Sequence, residues 1–167
     1  MRKKRIMKSQ IAHSIKHRKI ANDEFETPEK LAQKLIKLVP LKKFDIVLDP
    51  AKGTGNFFKN LPNYTINQAT SDFFNFIKKQ HWLITNPPYS KLDKWLKHSC
   101  EISLKGFAYL LGLHNLTPKR IEMCEKMGFG ITKIYLCKVF KWFGISAFII
   151  WEKNKKGIIH YDRTVWR

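Results

Sequence analysis

Short apolar runs, each followed by turn-forming residues, alternate along this chain with segments of helical periodicity. The runs predict six strands, at residues 44–48, 64–67, 82–85 and 106–113 and, as a closing hairpin, 131–139 with 145–152. Apolar residues at helical spacing predict helices at residues 28–39, 56–61, 91–104 and after Thr117-Pro118. Strands that alternate with helices are typical of an α/β protein with a mostly parallel sheet.

The apolar run at residues 82–85 ends in Asn86-Pro87-Pro88-Tyr89. Two prolines can neither continue a strand ladder nor begin a helix at once, so an extended turn at the carboxyl edge of the sheet is predicted. Ligands bind at that edge in open α/β sheets. The Asn86 side-chain oxygen and the Pro87 carbonyl can both accept hydrogen bonds from one NH2 group, and Tyr89 offers a face for a nucleobase. A plain turn after a buried strand is the structural alternative.

The run at residues 44–48 leads into a second motif, Asp49-Pro50-Ala51-Lys52-Gly53-Thr54-Gly55. A carboxylate at a strand end, followed by Gly-x-Gly at the start of a helix, is typical of a nucleotide-type site. The glycines permit tight turning and close approach of the backbone to a ligand. No Gly-Lys-Ser or Gly-Lys-Thr follows at the required spacing, which excludes a phosphate-binding P-loop.

Taken together, Asp-Pro-x-x-Gly-x-Gly-x-Phe and Asn-Pro-Pro-Tyr resemble the S-adenosylmethionine-dependent adenine-N6 methyltransferases, particularly the small phage and plasmid DNA enzymes. The resemblance runs from about Phe25 to Trp151. It implies a Rossmann-like methyltransferase fold, with a mostly parallel seven-stranded sheet and a C-terminal antiparallel hairpin. It also implies methyl transfer from S-adenosylmethionine to the N6 amino group of adenine in DNA; the implied catalytic residues are Asn86, Pro87, Pro88 and Tyr89.

The resemblance also assigns residues to the cofactor S-adenosylmethionine. A Phe-x-Thr-Pro segment before the glycine-rich motif touches its methionine end, and the segment around Asp72 reads its adenine ring. The implied cofactor contacts are Phe25, Thr27, Asp49, Pro50, Ala51, Gly53, Gly55, Phe58, Asp72, Phe73 and Asn86. Thr27 before Pro28 is equally typical of a simple helix N-cap. The family carries an acid for the ribose hydroxyls at the end of its second strand, whereas Thr65 or Asn67 stands near that place here.

The stretch between Asp49 and Asp72 is too short for a full strand-helix-strand-helix-strand path of ordinary lengths. The fold is therefore predicted to be trimmed in the middle, with one crossover helix reduced or missing and part of one sheet face uncovered. Parallel sheets are apolar on both faces, so this gap predicts a homodimer in which a second copy covers it. The N-terminal segment folding back over the gap is the alternative.

Charge identifies the class of partner. The chain has 32 Lys and Arg against 13 Asp and Glu, a formal net charge of +19, and coding bias toward lysine does not explain the scarcity of acids. This imbalance predicts a nucleic acid as partner, DNA by the resemblance. The basic segment 1–22 is the predicted contact, with a solvated tail as the alternative; its basic residues are Arg2, Lys3, Lys4, Arg5, Lys8, Lys16, Arg18 and Lys19. His114, at the end of a predicted strand, is added as a contact near the target.

A chain of 167 residues suits one core, here divided into the basic segment 1–22, a catalytic domain at 23–153 and a short tail at 154–167. No secretory signal and no apolar run of membrane-spanning length is visible, so a cytoplasmic protein is expected. Cys100, Cys124 and Cys137 lack metal-ligand spacing and are interpreted as reduced structural thiols, so no metal is expected.

Three other functions remain open. The same chemistry on RNA, for example an rRNA adenine, is equally compatible with the charge. Release-factor methyltransferases use Asn-Pro-Pro-Tyr on a protein glutamine amide, but they lack the Phe-x-Thr-Pro segment. A non-catalytic nucleic-acid-binding subunit of a methyltransferase pair is favoured by the absent ribose acid and disfavoured by the two intact motifs.

Overall fold

A computed structural model describes residues 26–139 and 144–164. Within these ranges strands and helices alternate, as the hydrophobic pattern predicted. The strands are β1 (Ile46–Asp49), β2 (Ile66–Ala69), β3 (Gln80–Thr85), β4 (Ser103–Gly112), β5 (Phe129–Cys137) and β6 (Ser146–Lys153). The helices are α1 (Glu29–Ile36), α2 (Asn56–Lys59), α3 (Leu92–Ile102) and α4 (Pro118–Lys126), with short 3-10 turns at Phe73–Asn75, Tyr89–Lys91 and Leu113–Asn115.

The described strands form one six-stranded sheet in the order β2-β1-β3-β4-β6-β5. Strands β1 to β4 run parallel, and β6 pairs antiparallel with both β4 and β5. The predicted class, a mostly parallel sheet with a C-terminal hairpin, is confirmed. The resemblance implied seven strands, and the described residues form six, because the connection from β2 to β3 contains only the 3-10 turn Phe73–Asn75.

Each face of the sheet has its own apolar core. Successive residues of a strand point to opposite faces, so Trp82 and Ile84 lie in one core and Leu83 lies in the other. Residues of α1 and α2 belong to the first core, and residues of α3 and α4 belong to the second. The centre of the sheet is therefore covered on both faces, as a parallel sheet requires.

The β2 edge of the sheet is thinly covered. Helix α2 is only 4 residues long, and the chain passes from β2 to β3 without an α-helix. Strand β2 consequently has no fully buried residue, and Ile66 is 49% exposed. The predicted trimming is therefore present between β1 and β3.

Residues 154–164 pack on the domain, although the sequence predicted a tail from residue 154 onward. The Ile158 amide donates a hydrogen bond to the Ile131 carbonyl at 2.9 Å, and the Tyr161 hydroxyl donates to the Glu125 carboxylate at 2.7 Å. The Tyr161 ring also packs against the core under α4. Two hydrogen bonds and one aromatic ring thus hold part of the segment that was predicted as a short polar tail.

Within the described ranges, no helix combines the length and the apolar character needed to cross a membrane. The same residues bring together no group of three His, Cys, Asp or Glu side chains that could hold a metal ion.

A buried carboxylate stabilises the amino-terminal edge of the sheet. Asp45 is 2% exposed, and it accepts hydrogen bonds from the Lys105 ammonium at 2.5 Å and from the Lys42 amide at 2.9 Å. Burial disfavours the charged form, but the bonds from Lys105 and Lys42 outweigh it. The pKa of Asp45 therefore lies below its ordinary value of 3.8.

We expect Lys105→Met to lower the free energy of unfolding at neutral pH by about 2 kcal/mol, because Asp45 loses its charged donor. Folding lowers the pKa of Asp45, so this stabilisation is present above the unfolded-state pKa and is lost as pH falls through the folded-state value. Urea unfolding at neutral pH and below pH 3.8 measures both effects. In an Asp45→Asn background the same substitution should matter little, and an equal loss there contradicts the pairing.

Candidate active site

The carboxyl ends of β1, β2, β3 and β4 share one edge of the sheet, because these strands are parallel. At this edge the Thr85 hydroxyl, at the end of β3, donates a hydrogen bond of 2.8 Å to the carboxylate of Asp49, at the end of β1. That contact joins the glycine-rich segment to the Asn-Pro-Pro-Tyr segment. A cavity of about 720 Å³ opens here, within the range of roughly 300–1,000 Å³ that is usual for ligand pockets.

The cavity wall combines segments that are distant in sequence: the residues before α1, the loop after β1 with the start of α2, the β2–β3 connection, the turn after β3 and helix α3. Six of the residues predicted from the sequence line it, namely Thr27, Pro50, Ala51, Gly53, Asn86 and Pro88. The two motifs on which the resemblance rests thus face one common space.

A single buried carboxylate shapes the loop after β1. Asp49 is 1% exposed, and it accepts hydrogen bonds from the Ala51 amide at 3.3 Å and the Phe58 amide at 3.2 Å, besides the Thr85 hydroxyl. Burial raises the pKa of Asp49, while these three hydrogen bonds act against the rise. Asp49 is not part of the cavity wall formed by the described residues, so it positions the residues that are.

Both glycines of the loop adopt left-handed backbone conformations, with φ of 46° at Gly53 and 80° at Gly55. Gly55 precedes the first residue of α2, and its carbonyl accepts the Lys59 amide at 2.8 Å. Only glycine adopts this region without strain, so the Gly-x-Gly spacing is explained by backbone conformation.

We expect Gly55→Ala to lower the free energy of unfolding by about 1–2 kcal/mol, because a Cβ strains the left-handed backbone. Space is not the cause, since the nearest atom to an added Cβ is 3.6 Å away. Urea unfolding measures the loss. Gly144→Ala is the matched control, because a Cβ there meets nothing within 4 Å. Equal effects at both positions contradict the explanation.

The Asn-Pro-Pro-Tyr segment forms the predicted extended turn. Asn86 and Pro88 line the cavity, Pro88 is extended with φ −64° and ψ 130°, and Pro87 is buried. Tyr89 begins the 3-10 turn that leads into α3, and its hydroxyl donates a long hydrogen bond of 3.5 Å to Asn86 Oδ1. The Tyr89 ring packs partly buried against the core and is not part of the wall. Stacking of a base on Tyr89 stays a prediction.

On the β2–β3 connection, Ser71 lines the cavity, and its neighbour Asp72 is exposed. The Asp72 carboxylate accepts a hydrogen bond from the Asn75 side chain at 2.8 Å. Phe73 is buried and stacks on Trp95, with the ring centroids 4.4 Å apart. Trp95 is part of the cavity wall, so Phe73 packs against a wall residue without lining the cavity itself.

In the glycine-rich segment Phe57 lines the cavity, whereas the predicted contact Phe58 does not belong to the wall of described residues. Phe57 is 4% exposed and stacks against Phe148 of β6. Phe58 is half-buried, and the Lys52 ammonium lies 5.6 Å from its ring centroid. The orientation of α2 decides which of the two neighbouring rings faces the site.

Thr27 is not the N-cap of α1, which corrects the alternative interpretation of this residue. The cap is Pro28, whose carbonyl accepts the Leu31 and Ala32 amides at 3.0 Å. The Thr27 hydroxyl is buried at the cavity and has no hydrogen-bond partner among residues 26–139 and 144–164. A buried hydroxyl without a partner is costly, so this group is suited to bind a ligand.

The position expected for the ribose acid also changes. Strand β2 begins at Ile66, two residues later than predicted, so Thr65 and Asn67 lie at its amino end. Both side chains there donate hydrogen bonds to the Pro62 carbonyl, at 2.7 and 3.0 Å. Neither residue can stand at the carboxyl edge, where Asp72 is the first acid after β2.

His114 is exposed in the 3-10 turn after β4, beside the Asn115 side chain at 3.3 Å, and it does not belong to the described cavity wall. Phe25 and the basic residues of segment 1–22, from Arg2 to Lys19, lie outside the described residues. Their roles stay predictions.

Sequence reasoning missed Trp95. Its spacing from Leu92 and Leu96 marked it as a core residue of α3, and it is 6% exposed. A usable signal was present: Trp95 lies in the first turns of the helix that directly follows Asn-Pro-Pro-Tyr, and those turns begin at the ligand edge of the sheet. Ser71 and Lys52 carried no comparable signal.

No protein-family model and no curated protein sequence matches this chain. Its fold is similar to solved methyltransferase structures. The M protein of the type I restriction enzyme EcoKI has a TM-score of 0.59 and 15% identity, over 80% of this chain and 45% of that one. The magnesium protoporphyrin IX methyltransferase ChlM of Synechocystis PCC 6803, with bound SAM, has a TM-score of 0.55 and 10% identity, over 75% and 77%.

A third similar structure is the E. cuniculi Mtq2-Trm112 complex, responsible for methylation of the termination factor eRF1, with a TM-score of 0.54 and 16% identity over 80% of this chain and 99% of that one. Identities this low establish the fold alone. The chain therefore has the Rossmann-like methyltransferase fold. Its target has to be argued from its own residues.

Proposed function

We propose that this chain is an S-adenosylmethionine-dependent methyltransferase that modifies the N6 amino group of adenine in DNA. One observation carries the proposal: the glycine-rich loop after β1 and Asn86, directly after β3, line the same cavity at the carboxyl edge of the sheet. The fold supports the reaction class. The net charge of +19 supports a nucleic acid as the target.

The groups in the cavity wall suit S-adenosylmethionine. The Thr27 hydroxyl, which has no partner among the described residues, can bond a polar group of the ligand, and Glu26 and Lys52 match the ammonium and carboxylate of an amino-acid end. Trp95 offers an aromatic face for the adenine ring. When bound, the cofactor supplies an electrophilic methyl group on a positively charged sulfur.

Asn86 and Pro87 act on the target amine. Their two carbonyl oxygens accept its two N–H bonds, which fixes the direction of the nitrogen lone pair. The same oxygen dipoles stabilise the positive charge that builds on the nitrogen. The Tyr89 hydroxyl donates a hydrogen bond of 3.5 Å to Asn86 Oδ1. When the amine binds, this long bond breaks and Asn86 Oδ1 accepts from the amine instead. No strong base is required, because the methylated nitrogen is acidic and releases its proton to water.

Adenine N6 is out of reach inside a duplex, so the target base has to leave the stack or come from a single strand. Tyr89, in the 3-10 turn before α3, carries the ring that is proposed to stack on that base.

We expect Asp72→Ala to weaken S-adenosylmethionine binding about ten-fold. The substitution removes an exposed carboxylate, next to the wall residue Ser71, that is proposed to accept hydrogen bonds from the cofactor. The rate at saturating cofactor should change little. Calorimetric titration measures the affinity, and Glu101→Ala, which removes an exposed acid at the far end of α3, is the control. Unchanged affinity in Asp72→Ala excludes this contact.

Tritiated methyl transfer to duplex DNA, single-stranded DNA and RNA in parallel tests the proposed function. The expected product is N6-methyladenine in DNA. Label in RNA alone supports the RNA alternative, and label in added protein supports the glutamine alternative. Absence of both transfer and cofactor binding contradicts the proposal and favours a non-catalytic subunit.

A further inference from the structure

Exposed aromatic rings stand among lysines at the amino ends of β1 and β2, on the sheet edge opposite the cavity. Phe44 is 66% exposed and Tyr64 is 46% exposed. The two residues are neighbours, because the Phe44 amide donates a hydrogen bond to the Tyr64 carbonyl at 2.8 Å. Lys42 and Lys43 are exposed beside them, and the Lys43 ammonium lies 5.0 Å from the centroid of the Phe44 ring. These four residues form the Phe44 surface.

The backbone of Phe44 adopts a conformation that is unfavourable for a bulky side chain. Its φ is 66°, in the left-handed region that bulky side chains disfavour and glycine tolerates. The turn itself is closed without the ring, by the Asp45 amide donating to the Lys42 carbonyl at 3.0 Å and by the Asp45 carboxylate accepting the Lys42 amide. Because the Phe44 ring is mostly exposed, its burial does not offset the strain of the left-handed backbone. The stability of the fold therefore does not explain a phenylalanine at this position.

The charge of the Phe44 surface is positive on balance. The nearest acid, Asp45, is buried and paired with Lys105. Within the described part of the chain, neither Lys42 nor Lys43 forms an ion pair. The surface therefore presents two aromatic faces and two available ammonium groups.

Further exposed apolar side chains lie on the β2–β3 connection. The β2–β3 connection starts beside the wall residue Ser71 and ends at the amino end of β3, next to β1. Along it Phe74 is 42% exposed and Ile77 is 78% exposed.

We propose that the Phe44 surface is a second nucleic-acid site that holds an unpaired stretch of strand. Bases stack on Phe44 and Tyr64, and Lys42 and Lys43 pair with the phosphates between them. In a duplex the neighbouring base pairs already cover each base, so the rings select unpaired bases. The inference rests on the proposed function for its class of partner. It adds that a strand whose base enters the cavity is also held at the opposite edge, which raises its effective concentration.

A second copy of this chain is the competing occupant, since β2 is an edge strand of the sheet that the described residues form and Ile66 is half-exposed. The homodimer predicted from the sequence would bring two sets of Lys42 and Lys43 together. Like charges at short range oppose association, whereas a polyanion is attracted by them. The lysines therefore favour nucleic acid at this surface, and the homodimer stays a prediction.

The test uses the full-length protein without cofactor and measures fluorescence anisotropy of fluorescein-labelled oligo-dT and of a labelled G·C duplex of equal length. Oligo-dT contains no adenine, so it carries no methyl acceptor. We expect Phe44→Gly to weaken oligo-dT binding about ten-fold and Phe44→Gly with Tyr64→Ala to weaken it further, while duplex affinity changes little. Because glycine relieves the left-handed strain, the melting temperature of Phe44→Gly should not fall, and lost binding then cannot be attributed to unfolding.

Two matched controls separate stacking from general surface effects. Leu136→Ala removes a side chain that is 55% exposed on β5, at the other end of the sheet, and should leave oligo-dT binding unchanged. Lys42→Gln with Lys43→Gln should reduce the salt dependence, by roughly 0.7 in the log–log slope for each lost phosphate contact on a single strand. Lys155→Gln with Lys156→Gln makes the same change in net charge at another surface and should reduce it less.

Wild-type affinity of the Phe44→Gly, Tyr64→Ala variant for oligo-dT overturns the proposal, as does an equal loss on the duplex. A dimer mass in light scattering that this variant converts to a monomer assigns the surface to a second copy and likewise overturns it. Methyl transfer to adenine-containing DNA is measured separately. Its absence contradicts the proposed function and leaves the oligo-dT result standing, so the two failures are distinguishable.

Discussion

Asn86→Ala is expected to lower the rate of methyl transfer by about 10²- to 10³-fold while cofactor affinity changes little. Asn86 lines the cavity, and its side-chain oxygen is one of the two acceptors proposed to orient the target amine. Its loss removes stabilisation that is needed only as charge builds on the nitrogen, so the effect falls on the rate. Single-turnover transfer of tritiated methyl measures the rate, and calorimetry measures the cofactor affinity.

Asn86→Asp is the matched control, because it keeps an acceptor oxygen at the same place and replaces the amide nitrogen by a carboxylate oxygen. We expect it to retain more activity than Asn86→Ala. Near-normal turnover of Asn86→Ala would show that the amine is not oriented by this residue. A large loss of cofactor affinity would instead assign Asn86 to the cofactor.

Asp49→Ala is expected to lower the free energy of unfolding by about 3–5 kcal/mol, a large part of the stability of an ordinary domain. It leaves the Ala51 and Phe58 amides and the Thr85 hydroxyl without their acceptor in a buried place. The loop that lines the cavity then loses its shape, so cofactor affinity should fall as well. Urea unfolding measures the stability.

Thr85→Val removes one of the three hydrogen bonds to Asp49 and should cost about 1 kcal/mol, and an equal loss from both variants contradicts the role of the carboxylate. Burial raises the pKa of Asp49, so the folded state binds the proton more tightly than the unfolded state. Its contribution to stability is therefore greatest below the unfolded-state pKa and falls as pH rises through the folded-state value. The stability of the wild type relative to Asp49→Asn should accordingly increase as pH is lowered through that interval.

The elements of this fold were readable from the sequence because periodicity reports burial directly. Leu83, between Trp82 and Ile84, belongs to the opposite core from its neighbours, as an apolar run buried on both faces requires. The β2 boundary was placed two residues too early. The hydrogen bonds of Thr65 and Asn67 to the Pro62 carbonyl hold the start of that strand, and hydrophobic patterning does not report such bonds.

The sequence also predicted that the two motifs meet at one site. Each follows a strand, parallel strands end at the same edge, and Asn86 and Gly53 consequently line one cavity. The sequence did not tell that Asp49 lies behind the wall, where it supports the loop, nor that Ser71 lines the wall beside Asp72. The strand-end rule does not distinguish between two residues that are adjacent in sequence. Only the path of the loop decides which of the two side chains faces the cavity.

By itself the sequence determined the α/β class, the order of strands and helices and the motifs that gather at the carboxyl edge, because these follow from periodicity and from the direction of parallel strands. Tertiary structure alone decided which side chains form the cavity wall, since Phe57 and Trp95 reach it through the packing of α2 and α3. It also decided that Phe44 is exposed. An apolar residue at a strand start predicts burial, whereas the Phe44 ring is 66% exposed.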